Sequence, residues 1–307
     1  MAAPVGSQYR TTLYGGTDVT SSLTQDYQFQ FNGLLFGKGT SYGVQNPQAI
    51  YGRNTRSVET LRPQDTGAFV QPDYPGSRLV TFSMVVTGSA STMQAKIEAF
   101  QTAWQSSTTG DQPLLFRLPT SNTWRLFGRP RKTDVDVRMW SKGVVSITAE
   151  FYCADPRMYD NTITTPSTAT LPSSGGITFP KVLPITFGAA ATSAALTATT
   201  SGTVPTPWFA KIAGPVSNPA ITNGTDTIRF NGAVASGDYI IVDSMNRDVW
   251  YNGNTAASWY SHVSPSSVWW SLPASGSTTV TLLDDGRRTG DPTSTGTLAF
   301  QFRSAWL

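Results

Sequence analysis

The chain is short of the residues that carry most protein chemistry. Its 307 residues include one cysteine, Cys153, and one histidine, His262. A lone cysteine excludes an intrachain disulfide and a zinc site of the multi-cysteine kind. His262 lies in the polar stretch SHVSPSS, and no GxSxG elbow occurs, so no serine triad is expected. There is no Walker A loop, and no GxGxxG between a strand and a helix. Charge is sparse as well: 13% of residues are charged and the net charge is +3. A nucleic-acid binder would normally show a clustered basic face, and none is expected here. No apolar run reaches the roughly 18 residues that a membrane-spanning helix needs. The amino end, MAAPVGSQYR, has no apolar core of a signal peptide. The expectation is a protein made in the cytosol and not exported by that route.

Carboxylates offer little more. Asp134 and Asp136 point the same way along a predicted strand, and Asp284-Asp285 precede Gly286 as in a turn. Calcium takes six or more oxygens, and neither pair supplies them. A glycosidase would need two carboxylates about 5 to 10 Å apart across a cleft. The acids of the second half sit mostly at turns, so no catalytic residue, metal site or cofactor is expected.

What the chain does have is β-pattern. In VVSITAEFYC, Val145, Ile147, Ala149, Phe151 and Cys153 fall on one face of an extended segment, and polar residues alternate with them. Cys153 is therefore expected to be a buried, inert thiol. Asp155-Pro156 stops the strand. A Ser/Thr/Pro/Gly tract follows, so the strand closes one domain, residues 1–160, before 161–180, a linker or an edge strand flanked by linkers. Upstream, Tyr27, Phe29 and Phe31 alternate with Gln28 and Gln30, and LVTFSMVVT (79–87) is a second strong strand. One helix is predicted, over about 91–105, with Met93, Ile97, Phe100 and Trp104 as its buried stripe. Ser91 and Gln94 are placed for a capping box. Strand pairs are expected at 114–118 with 124–128, and from 135–138 to the closing strand through Ser141-Lys142-Gly143. The first domain reads as a β-sandwich or barrel with a single helix.

Beyond the linker, residues 181–307 read as a second β-sandwich. Short strands at 208–212, 228–230, 239–242, 249–251, 280–283 and 298–302 are separated by Gly/Pro/Asn/Asp turns, and no helical period intrudes. The stretch 188–206 is small-residue rich and fits alternating Ala/Thr strands or an extended loop.

Two surfaces invite contacts. Residues 37–76 are rich in Gly, Pro, Asn and Gln and read as long loops or an arm. Arg53, Arg56 and Arg62 lie there, on a solvated loop or on a surface that meets a neighbouring subunit. In the second half, Trp250, Tyr251, Trp259, Tyr260, Trp269 and Trp270 concentrate aromatic rings. Neighbours on a strand face opposite ways, so one ring of each adjacent pair is expected outward. Such rings could stack on sugar faces or contact a protein, and Trp259, Tyr260, Trp269 and Trp270 are the candidates. The alternative is that Trp250 and one of the adjacent pair Trp269 and Trp270 fill the sandwich core.

The order of features resembles the distal tail proteins of long-tailed, non-contractile (siphovirus-type) bacteriophages. The first half, with its one helix and the closing FYCADPRMY (151–159), resembles their ring-forming domain. PWFAKIAGPVSNP (207–219), GDYIIVD (237–243) and LAFQFRSAW (298–306) are similar to the jelly-roll-like sandwich, akin to galectins and carbohydrate-binding modules, appended in such proteins. The resemblance implies a structural virion protein with no catalytic residues and no cofactor. It implies a homo-oligomeric ring, hexameric in the family, between the tail tube protein and the tail-tip hub or tail-associated protein. The outer domain would dock other tail parts, receptor-binding proteins or host glycans. The resemblance further implies that the genome passes the lumen without being bound.

Overall fold

The computed structural model describes residues 19–52, 54–64, 66–106, 110–119, 122–171, 193–284 and 295–307. These fall into two compact units: residues 19–161 with Trp306–Leu307, and residues 162–305. Both are built of strands.

The first unit begins with a hairpin, β1 (Gln28–Phe31) and β2 (Leu34–Gly37), followed by β3 (Tyr42–Gln48). Four short strands form a side arm: β4 (Thr55–Arg56), β5 (Glu59–Leu61), β6 (Ala68–Val70) and β7 (Tyr74–Pro75). The chain then returns through β8 (Arg78–Thr87), helix α1 (Ala90–Ala103), β9 (Gln112–Arg117), β10 (Thr123–Asp136), β11 (Val144–Cys153) and β12 (Met158–Asp160). The main sheet runs β2-β1-β9-β10-β11-β8-β3, with β12 added on β10. Strand β10 serves both halves. Its first residues pair with β9, Leu126 opposite Leu114, and its later ones with β11, with a register shift between Pro130 and Lys132. A proline has no N–H for the ladder, so a bulge is where it fits.

The alternation in β11 holds: Val145, Ile147, Ala149, Phe151 and Cys153 are all buried. Burial also pushes the Cys153 thiol well above its ordinary range. Gly143, in the left-handed conformation at φ +72°, makes the turn into β11, and a Cβ there would meet the Gly88 carbonyl oxygen at 2.4 Å. The strand at 28–31 is covered on both faces. Phe29 and Phe31 enter the aromatic core, while the Gln28 side-chain oxygen accepts from the Thr24 and Gln25 N–H groups at 2.8 and 3.0 Å.

The helix needs one correction. It is capped by Ser89, not Ser91, because Ser89 is extended (φ −70°, ψ 156°) and its carbonyl accepts the first helical bond, from Met93 N–H at 3.0 Å. No side-chain cap bond forms, and Gln94 donates instead to Glu98 at 2.9 Å. The buried stripe is as expected: Met93, Ile97 and Phe100, with Trp104 just past the end. The Trp104 ring lies 5.1 Å from Phe31, 5.4 Å from Phe100 and 6.0 Å from Phe82, so one indole ties helix to sheet. Trp306 also packs in this unit, edge-on to Trp124 at 4.5 Å.

The second unit is a sandwich. One sheet holds β13 (Ala169–Thr170), β15 (Trp208–Ala213), β20 (Tyr239–Asp243), β21 (Asp248–Tyr251) and β23 (Thr297–Phe302), in the order β13-β23-β15-β20-β21. The facing sheet runs β14-β22-β17-β18, from β14 (Ser193–Ser201), β17 (Pro219–Thr222), β18 (Thr227–Arg229) and β22 (Ser275–Asp284). A small pair, β16 (Val216–Ser217) with β19 (Ala233–Val234), lies beside them. Trp208, Ile212 and Phe300 from one sheet and Leu196, Ile221, Val280 and Leu282 from the other belong to one buried core. The Ala/Thr stretch resolves as strand over 193–201, with Ala194, Leu196, Ala198 and Thr200 inward. Within 161–180, Ala169–Thr170 is an edge strand on β23, and residues 172–180 lie outside the described residues.

Candidate assembly surface

The arm grows out of β3 and returns into β8. At its base Ile50 is buried, and its carbonyl accepts a hydrogen bond from the Arg78 guanidinium. Burial pulls the Arg78 pKa below its ordinary value, against the attraction of Cys153 and Asp155. The Gly76 N–H donates to the Asn54 carbonyl at 2.7 Å, and Arg62 N–H to Gly67 carbonyl at 3.1 Å, so both ends of the arm are closed by backbone bonds. Between them β4 pairs with β7 and β5 with β6.

Pairing of this kind satisfies backbone but buries almost nothing. Leu61 is 81% exposed, Phe69 56% and Tyr74 56%. The register of β5 and β6 sorts the side chains. Glu59, Leu61 and Ala68 share one face, and Thr60 and Phe69 the other. The Arg62 guanidinium sits 5.2 Å from the centre of the Phe69 ring, a cation–π contact. Arg56 is exposed opposite Tyr74, and Arg53 lies outside the described residues.

Beside the root of the arm is a pocket of about 460 Å³. It opens between β2 and β3, the two free edges of the main sheet, and their connecting turn. Its walls are Tyr27, Phe29, Val44 and Pro47, with Lys38 at the exposed rim. Gly37, in its lining, must be glycine because β1 passes close by. At φ +103°, a Cβ there would come within 2.2 Å of the Tyr27 carbonyl oxygen.

The aromatic candidates of the second unit divide. Trp259 is buried and stacks on His262 at 4.2 Å, and Trp270 is buried 4.5 Å from Trp208, whose indole N–H donates to the Trp270 carbonyl. These two rings are core, which corrects their place among the contact candidates: a sandwich must fill its interior, and large rings do so. Tyr260 is exposed and Trp269 half-buried, their rings nearly parallel (7°) with centres 6.5 Å apart. Any outward aromatic contact therefore falls to Tyr260 and Trp269.

Among the described residues no three His, Cys, Asp or Glu side chains gather as metal ligands. Asp136 is held by Arg138, and Asp285 lies outside the described residues. Among the described residues the geometry offers surfaces for docking. Sequence reasoning missed Leu61, Phe69 and Tyr74, lone apolar residues in a polar tract, and the pocket, whose signal was the glycines at 37, 39 and 43.

Residues 201–303 match the family described as siphovirus-type tail component, C-terminal domain. The fold is similar over nearly the whole chain to the crystal structure of the Dit (gp 19.1) protein of phage SPP1. The TM-score is 0.60 at 13% identity, covering 92% of this chain and all of that one. The chain is similar to a siphovirus distal tail protein. The SPP1 Dit protein is described as a paradigm of the hub adsorption apparatus in phages infecting Gram-positive hosts. A chain of the phage p2 baseplate, in its activated conformation with Sr, is similar at a TM-score of 0.50 and 10% identity, over 90% of this chain and 97% of that one. No curated protein matches the chain.

Proposed function

We propose that this chain is a distal tail protein that assembles head-to-tail into a closed ring, hexameric as the resemblance implies. The ring joins the tail tube protein to the tail-tip hub and offers a docking rim to receptor-binding proteins. The observation that carries this reading is the likeness to SPP1 Dit along 92% of the chain. The arm supports it, since apolar side chains held out on paired strands are what a subunit contact buries. A closed ring needs a heterologous contact that repeats until it meets itself, and each junction should bury more than about 1,000 Å². In this reading residues 1–160 make the ring, 161–180 link, and 181–307 form the outer domain, with Arg53, Arg56 and Arg62 beside the junction. The chain works in the virion tail, and we assign it no reaction.

Electron microscopy of the purified full chain tests the proposal. Rings of one size, stacked no more than twofold, are the expected result. Long tubes would point to a tube protein, and particles that stay monomeric at high concentration would sink the ring.

A second reading, glycan recognition by the outer domain, rests on the outward pair Tyr260 and Trp269. It predicts that the full chain binds host-cell polysaccharide and loses that binding when Tyr260 and Trp269 are both changed to Ala.

A further inference from the structure

The pocket between β2 and β3 and the arm between β3 and β8 belong to the same first unit, and each has what the other lacks. The pocket is an open concavity walled by Tyr27, Val44, Pro47 and three glycines, with Thr40 and Gln45 also in its lining and a single cation, Lys38, at its rim. The arm carries an apolar side chain with almost no cover, Leu61, and on the same face two residues away a carboxylate, Glu59. An 81% exposed leucine gains nothing where it stands. At about 460 Å³ the pocket has room for a leucine side chain. The arm of the same copy leaves β3 and stays exposed, so its leucine does not fill its own pocket. A protrusion and a complementary cavity at different places on one chain give a head-to-tail contact, the kind that closes a ring.

We propose that the pocket lined by Tyr27, Phe29, Gly37, Val44 and Pro47 receives Leu61 from the arm of a neighbouring copy, with Glu59 of that copy set against Lys38. The pairing is directional. Each subunit gives one arm and takes one, and pocket occupancy fixes which face of the arm turns inward. Thr60, Phe69 and Arg62 are left on the opposite face. This inference rests on the ring reading and adds the residues of its junction.

The test uses the full chain and four variants, followed by mass photometry and sedimentation across a concentration series, with a thermal melt to confirm folding. Leu61→Asp breaks the arm. Gly43→Phe plugs the pocket at a position with space for a Cβ, 3.6 Å from the nearest atom. Each should raise the concentration for half-assembly about ten- to hundredfold, the worth of one buried leucine. Lys38→Glu should raise it about three- to tenfold, and adding Glu59→Lys to it should restore most of that loss. The decisive arm is a mixture of the Leu61→Asp and Gly43→Phe proteins. Each keeps one good half of the junction, so the mixture should give heterodimers and no rings. Rings from every variant would overturn the pocket assignment and leave the ring standing. A charge-reversed pair that fails to recover would overturn the Lys38–Glu59 contact. A wild-type chain that never leaves the monomer would overturn the ring itself.

Discussion

The arm and the aromatic segment 259–270 are opposites. The arm lies in the most polar part of the first half, yet its few large apolar residues, Leu61, Phe69 and Tyr74, all face solvent. The segment 259–270 is dense in rings, yet two of its three tryptophans, Trp259 and Trp270, are core. The difference lies in what stands behind each segment. Two-stranded pairs have no second layer to cover a side chain, whereas 259–270, a loop with a single 3-10 turn at Tyr260–His262, lies against the sandwich core, and Trp259 and Trp270 join its buried cluster. Apolar density in a sequence therefore marks interior, and a sparse apolar residue in a polar tract can mark a contact surface.

Substitutions can break that comparison. Trp270→Ala or Trp208→Ala should cost about 3–5 kcal/mol, the range for a large buried ring, read as a lowered denaturation midpoint for the second unit. Trp306→Ala removes an edge-on partner of Trp124 and should cost the first unit about 1–2 kcal/mol. It should do so without moving the second unit's transition. Phe69→Ala and Tyr260→Ala should each change stability by under about 0.5 kcal/mol, as exposed positions do. A loss as large as that of Trp270→Ala would mean that the arm or the Tyr260 ring is structural after all. The smallest effect is electrostatic. The Arg138 side chain donates to both Asp136 oxygens at 2.5–2.9 Å, and its own N–H donates at 3.0 Å. These bonds hold the Asp136 carboxyl down at about 2. The contribution is fully present above the ordinary carboxylate value of 3.8 and fades as pH falls through about 2. An NMR titration should place the midpoint there, and Arg138→Ala should move it back up.

Much of the fold was legible, for reasons that differ by element. The strands at 79–87, 144–153 and 298–302 announced themselves because one face meets a core and the other does not. The helix was placed by its stripe, but its start was misjudged. Both Ser89 and Ser91 can cap, and only the extended backbone at Ser89 decides between them. Strand 219–222 was missed because Pro219 opens it, and Asn218 before it has positive φ. The aromatic candidates were half legible. Strand alternation could not sort the pairs 259–260 and 269–270, which lie outside the strands, and only the tertiary packing decides which ring is covered. The pocket left only a faint trace in the sequence, the glycines at 37, 39 and 43, because glycines in a polar tract mark turns as readily as a cavity wall.

The return of Trp306 to the first unit has a consequence for how the protein is made. The second unit is spliced into the first, entered after Asn161 and left before Trp306. Translation at 5–20 residues per second needs roughly 7 to 30 s to cross that insertion. During that delay Trp124 waits on the nascent chain without its ring partner. A first unit finished only after the second has emerged would delay arm-to-pocket encounters between chains still on the same polysome.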